Sequence, residues 1–232
     1  MTKAVLLDIE GTTTPIEFVH ETLFPYAKER IGKYVEMHFG ALSNEIAQLV
    51  DESSHDGGYT IPLDPTEPGS VSHYLEHLID RDRKSTPLKS IQGQLWMEGY
   101  ESGELTSVVF PDVPPAFERW RKEGKIVAIY SSGSVLAQQL LFRHTDHGDL
   151  TPFISEYFDT ATGAKREPES YSKIAISLGF APAEIVFVSD VPGELASAAD
   201  AGMSTALVVR PGNASIEHAD GFRSVSTFDQ LD

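Results

Sequence analysis

Four short apolar runs constrain the fold of this chain more than any other feature. Lys3–Leu7, Ile126–Tyr130, Ile185–Ser189 and Ala206–Arg210 are β-branched or aliphatic almost throughout, and Gly, Ser, Asp or Pro bounds them. Runs without polar alternation suit strands covered on both faces, which is the usual condition of a parallel sheet. A weaker fifth strand is expected near Tyr157–Asp159. Helical periodicity fills the intervals at Val113–Glu123, Val135–Phe142, Ser170–Leu178 and Glu194–Ala201, with Gly202 as the stop of the last. Strand and helix alternate from about residue 108 onward, which predicts an α/β fold with a doubly wound, mostly parallel, Rossmann-like sheet.

The first interval breaks this rhythm. Residues 8–125 separate the first run from the second, far more than one crossover helix needs. Within it Glu17–Phe39, Leu42–Asp51, Val71–Arg83 and Pro87–Glu101 read as helices around a Gly-, Pro- and Asp-rich loop over Ser53–Gly69. The expected organisation is a catalytic core of residues 1–15 and 108–232, with residues 16–107 inserted as an α-helical cap. The insert leaves from the carboxyl end of the first strand. Ligands of open α/β sheets bind beyond that edge, so the insert is expected to cover a site.

Charge and composition narrow the partners. Lys and Arg number 18 against 35 Asp and Glu, a net charge of −17. Long-range repulsion therefore opposes nucleic acid and anionic membranes as partners, while leaving room for a small anion held by a local lysine or metal. Cysteine is absent, which excludes disulfides, thiolate catalysis and thiolate zinc sites. There is no apolar run of about 18 residues, and the N-terminus enters a strand pattern without a secretion signal, so a cytoplasmic location is expected.

Polar residues gather at three predicted strand ends. The first ends in Asp8-Ile9-Glu10-Gly11-Thr12, the second in Ser131-Ser132-Gly133-Ser134, and the third in Ser189-Asp190 with Glu194 four residues on. In a parallel sheet all three ends share one edge. Asp8, Glu10 and Asp190 would repel one another in a small volume unless a hard divalent cation joined them. Mg²⁺ suits one or two carboxylates plus substrate phosphate. Ser131 and Ser132, at a turn entering a helix, suit phosphate oxygens. Lys165, in Thr162-Gly163-Ala164-Lys165, could balance the carboxylates and hold a phosphoryl group. His73 and His77 share a helix face but have no third ligand, and together with the Asp51–Asp56 acids they are read as solvated.

Taken together these pieces resemble the haloacid dehalogenase superfamily, whose first motif is Asp-x-Asp-Gly-Thr. Here a glutamate stands in the second acidic position. Asp8-Ile9-Glu10-Gly11-Thr12-Thr13-Thr14-Pro15-Ile16, followed by Leu23-Phe24-Pro25-Tyr26, is similar to the enolase-phosphatase E1 family of methionine salvage. So are Asp82-Arg83-Lys84, Leu88–Gly93, Tyr130–Ser134 and Val209–Ala214, and the resemblance spans nearly the whole chain. It implies a monomeric, Mg²⁺-dependent enzyme acting on 2,3-diketo-5-methylthiopentyl-1-phosphate. Such an enzyme enolises this substrate and then removes phosphate to leave the acireductone. By matching motif, Asp8, Glu10 and Asp190 would bind the metal, while Ser131, Ser132 and Lys165 would contact substrate. Asp8 is the expected nucleophile, with Glu10 and Lys165 as further catalytic groups. Arg83, Lys84, Gln92 and Trp96 are the insert residues to test for recognition of the methylthio end. A sugar-phosphate phosphatase or phosphomutase of the superfamily would keep the nucleophile and metal but differ in the insert.

Overall fold

The computed structural model describes residues 1–213 and 221–231. Ala214, the last residue of the Val209–Ala214 stretch, lies outside the described residues. The chain divides into two compact units, one of Met1–Val19 with Thr106–Asp232 and the other of His20–Leu105.

The first unit carries a parallel sheet of β1 (Ala4–Leu7), β2 (Ile126–Tyr130), β3 (Ile154–Phe158), β4 (Ile185–Ser189), β5 (Ser204–Val208) and β6 (Arg223–Val225). Its order is β3-β2-β1-β4-β5-β6, and every pairing is parallel. The side-chain period of two sends alternate residues of each strand to opposite faces. Val5, Leu7, Val127 and Ile129 pack with Phe117 and Trp120 of α6 (Val113–Lys122) and Phe142 of α7 (Val135–Arg143). Ala4, Leu6, Ala128 and Phe187 pack with Tyr171 and Ile174 of α8 (Pro168–Leu178) and Leu195 of α9 (Pro192–Asp200). Both faces are thus dry, which is why these strands read as unbroken apolar runs.

Two edges depart from expectation. The run at Ala206–Arg210 begins its strand two residues earlier, at Ser204, and ends at Val208. Arg210 instead turns inward, where its guanidinium is buried between the rings of Phe110 and Phe228. β6 has no apolar run to announce it. Its three residues are a polar edge whose only buried side chain is Val225.

The second unit is helical: α2 (Phe24–His38), α3 (Ser43–His55), α4 (Pro68–Asp80) and α5 (Thr86–Glu101). The chain enters it through the short helix α1 (Ile16–Phe18) and a π-helical turn, Val19–Leu23. Pro25 explains the turn, because it has no N–H to offer the carbonyl four residues back and its ring would strike that carbonyl. α2 packs against α4 and α5, and Ile31, Val35, Leu75 and Leu95 on these helices are buried. Trp96 is buried, and its indole N–H donates to Leu23 O at 3.0 Å, so its role within this unit is packing. One acid and one histidine here are less solvated than their sequence suggests. Asp56 is buried, its Oδ2 lies 3.3 Å from His77 Nε2, and the His77 ring lies against Tyr59. Among the described residues no helix is long and apolar enough to cross a membrane.

The two tryptophans report separately on the two units, Trp120 on the sheet unit and Trp96 on the helical one. Phe117 is fully buried beside Trp120, with ring centroids 6.1 Å apart. Phe117→Ala should destabilise the sheet unit by about 3–5 kcal/mol, the cost of a large buried cavity. Urea unfolding followed by Trp120 emission in a Trp96→Phe background measures it.

Candidate active site

β1 lies between β2 and β4, so the chain reverses its direction of winding there and opens a crevice beyond the strand ends. Leu7 pairs with Ile129 and with Val188, so Asp8, Tyr130 and Ser189 head three neighbouring strands at one level. Asp8 is 5% exposed. Its Oδ1 accepts the Ile9 N–H at 2.7 Å, and its Oδ2 accepts the Ser189 hydroxyl at 3.1 Å. Lys165 Nζ reaches the same Oδ2 at 2.7 Å and Glu194 Oε2 at 2.7 Å. Ser189 Oγ accepts the Val191 N–H and also lies 3.1 Å from Glu194 Oε2. Its single proton serves one of the two carboxylates at a time.

The loop that delivers Lys165 is held by hydroxyls. Tyr130 Oη donates to Gly163 O at 2.9 Å, Ser170 Oγ to Ala164 O at 2.8 Å and Tyr171 Oη to Lys165 O at 2.7 Å. Three successive carbonyls are therefore fixed by side chains from β2 and α8. Both tyrosines are fully buried. Burial pushes the Tyr171 phenol well above its ordinary range, which keeps it a donor.

Gly11 shapes the other wall. Its φ of +66° suits glycine, and a β-carbon there would overlap the Asp190 carboxylate and Asn213 Oδ1. The amides of Thr12, Thr13 and Thr14 all donate to Ile9 O, closing the loop after β1 into a tight turn. Arg210 ties that turn down, with Nε donating to Thr12 O at 3.2 Å and Nη1 to Asp112 Oδ1 at 2.9 Å.

Charge is unbalanced in this volume. Asp8, Asp190 and Glu194 bring three negative charges when ionised and Lys165 one positive, leaving two negative. Burial first, then the Asp8 charge, pushes Asp190 up to about 7. The same two causes push Glu194 up to about 7. Burial works to lower Lys165, but the Asp8 and Glu194 carboxylates outweigh it and hold the ammonium above its ordinary range. A pair of excess negative charges against a glycine-walled space fits a divalent cation with oxygen ligands.

Asp8, Lys165 and Asp190, distant in sequence, come together here. Glu10 is half-buried, bridges Thr14 through its backbone, and adds weakly to the negative field on Asp190. Among the described residues no three His, Asp or Glu side chains close around a common point as a full metal cage. Two carboxylates with main-chain oxygen and water suffice for Mg²⁺. Ser131 is buried, its Oγ accepting the Gly133 N–H at 3.2 Å, and Ser132 is half-buried in the same turn. The residue that caps α7 is Ser134, whose Oγ accepts the Ala137 N–H, while Asp159 accepts from Val135 N–H. Glu194 as the second partner of Lys165 was not legible in sequence, because an acid in the first turn of a helix such as α9 is ordinary. Arg210 and Asn213 belong to the Val209–Ala214 stretch that resembles the family, but their contacts with the Gly11 turn were not legible in sequence.

Two tests follow from this geometry. A carboxylate raised in the folded state binds more protons there than when unfolded, so its effect is absent below its unfolded value and destabilising above it. In metal-free protein, Asp190→Asn should therefore match wild type near pH 4 and be more stable by roughly 1–3 kcal/mol at pH 8, in urea titrations. Tyr171→Phe removes the hydroxyl that fixes Lys165 O with almost no change of volume. Turnover should fall about tenfold, a loss of roughly 1–1.5 kcal/mol of positioning, while the circular dichroism spectrum is unchanged.

Comparison with known proteins agrees with this architecture. The family described as haloacid dehalogenase-like hydrolase matches residues 2–202. Enolase-phosphatase E1 of Synechococcus elongatus is 48% identical over 98% of this chain and 96% of its own length. Enolase-phosphatase E1 of Leptospira borgpetersenii is 49% identical, covering 90% of each chain. The solved structure of the UTR4 protein of Saccharomyces cerevisiae superposes with a TM-score of 0.76 at 34% identity over the full length of both chains. CbbY of Rhodobacter sphaeroides, solved in complex with phosphate, shares the fold at a TM-score of 0.61 and 18% identity, over 100% of this chain and 96% of its own. With relatives of this similarity along nearly its whole length, the chain belongs to the enolase-phosphatase E1 family of haloacid dehalogenase-like hydrolases.

Proposed function

We propose that this chain converts 2,3-diketo-5-methylthiopentyl-1-phosphate to the acireductone 1,2-dihydroxy-3-keto-5-methylthiopentene and phosphate, within methionine salvage. Its family membership supports the reaction, and one observation carries the chemistry. The Lys165 ammonium lies 2.7 Å from both Asp8 and Glu194, beside Asp190. That arrangement sets a lysine's positive charge against a buried carboxylate whose oxygen is placed to act as a nucleophile.

In the first half-reaction a proton leaves the carbon next to a substrate carbonyl and an enol forms. Glu10, one methylene longer than an aspartate, is our candidate for moving that proton. In the second half-reaction an Asp8 oxygen attacks phosphorus, and the bond from phosphorus to the substrate oxygen breaks. Glu10 gives the departing oxygen its proton. Water then attacks the phosphoryl group on Asp8, Glu10 takes the proton, and inorganic phosphate leaves with Asp8 restored. Lys165 offsets charge on the phosphoryl oxygens, and Ser131, Ser132 and nearby amides hold the group in line. A divalent cation, assigned as Mg²⁺ and held by Asp8, Asp190 and an oxygen of Glu10, supplies Lewis acidity and charge neutralisation when bound. Residues 16–107 are assigned to substrate selection, with Arg83, Lys84 and Gln92 the side chains to vary. The protein is assigned as a monomer whose partner is a phosphorylated small molecule.

The test supplies the diketone phosphate and follows enol and acireductone absorbance together with phosphate release. Both products are expected in equal amounts, with an enol-phosphate rising first. Release of phosphate from many sugar phosphates with no acireductone would favour a general phosphatase instead. Asp8→Asn should lower phosphate release by about 10³-fold or more. Chelation should abolish release, and added Mg²⁺ should restore it.

A further inference from the structure

Among the described residues no donor reaches the side-chain oxygen of Asn213. Its Nδ2 donates to Gly11 O at 2.9 Å, which settles the orientation of the amide, since the flipped form would set oxygen against oxygen. Its Oδ1 is then buried with no hydrogen-bond donor reaching it among the described residues. Leaving such an acceptor unmet is costly. A β-carbon built on Gly11 would touch Asp190 Oδ2 and Cγ and would lie 2.9 Å from Asn213 Oδ1. The two oxygens therefore flank the same glycine, one from the loop after β4 and one from the turn after β5. Both oxygens are hydrogen-bond acceptors.

We propose that Asn213 belongs to the divalent-cation site, its Oδ1 accepting a hydrogen bond from a water in the shell of the ion at Asp190. This rests on the divalent-cation reading made above. The protons of such a water are strongly polarised, and they supply the donor the buried amide oxygen lacks. The Nδ2–Gly11 bond aims the oxygen, and the bare α-carbon of Gly11 gives it access. Asn213 is thus a positioning residue for the ion.

Calorimetric titration of the full metal-free chain with Mg²⁺ alone tests this without any turnover. Asn213→Ala should weaken binding by about tenfold, the usual effect of losing an outer partner at a metal site. Asn213→Asp keeps an oxygen but loses the donor to Gly11 O, and it should bind Mg²⁺ at least as tightly as wild type. Melting curves in chelator check that both variants fold, and the rise in Tm on adding Mg²⁺ gives a second readout with the same order. Equal affinity of Asn213→Ala and wild type would overturn the role of Asn213 alone. So would an Asn213→Asp variant as weak as the alanine variant, since the amide would then act only as a tether for Gly11. A wild-type chain that takes up no Mg²⁺ would instead overturn the cation reading itself, and this inference with it.

Discussion

The contact on which the site depends is the Lys165 ammonium between two buried carboxylates. Asp8 and Glu194 both sit where water is largely excluded, and their side chains are 7% and 12% exposed. Charge buried at that depth is costly unless an opposite charge pairs with it. Breaking a buried ion pair also leaves its surviving partner uncompensated, so each of the three groups needs the other two. Lys165 is held by its backbone rather than by its flexible stem. The hydroxyls of Tyr130, Ser170 and Tyr171 fix three carbonyls in a row, and two of these residues also fill the core beneath the sheet. Packing below the sheet and charge placement above its edge are therefore one construction.

The negative charge left over is as informative as the charge that is paired. Among the described residues Asp190 makes no ion pair, and burial and the Asp8 charge outweigh Lys165 in disfavouring its ionised form. A fold that keeps such a residue against a glycine, with an amide oxygen on the same side, spends stability at one place. Strain and unmet charge concentrate at functional sites because the surrounding structure can bear them. Here the support comes from Arg210, which is buried between two aromatic rings and holds the carbonyl of Thr12.

Much of this was legible in the chain itself. The strands at Ile126–Tyr130 and Ile185–Ser189 match their runs residue for residue, because both faces of those strands are covered and polar groups are confined to their carboxyl ends. Asp8 and Asp190 were readable as a pair because both follow such runs. Edge elements were less legible. β6 presents polar residues to solvent on an outer strand, where burial imposes no pattern. Asp56 and His77 looked like surface groups, since neither spacing nor composition reveals that they will pair, with the His77 ring against Tyr59.

The sequence by itself determined the class of sheet, the alternation that covers it, and which strand ends carry acids, since each follows from local periodicity and chain order. Only the tertiary structure decided which distant groups share a charge. That Lys165 lies between Asp8 and Glu194, or that Asn213 and Asp190 meet over Gly11, follows from strand order and register. Those arrangements join residues up to about two hundred positions apart, and no local pattern encodes such a distance. The physical reason is that electrostatic partners are chosen by proximity in a low-dielectric space, which exists only once the sheet has assembled.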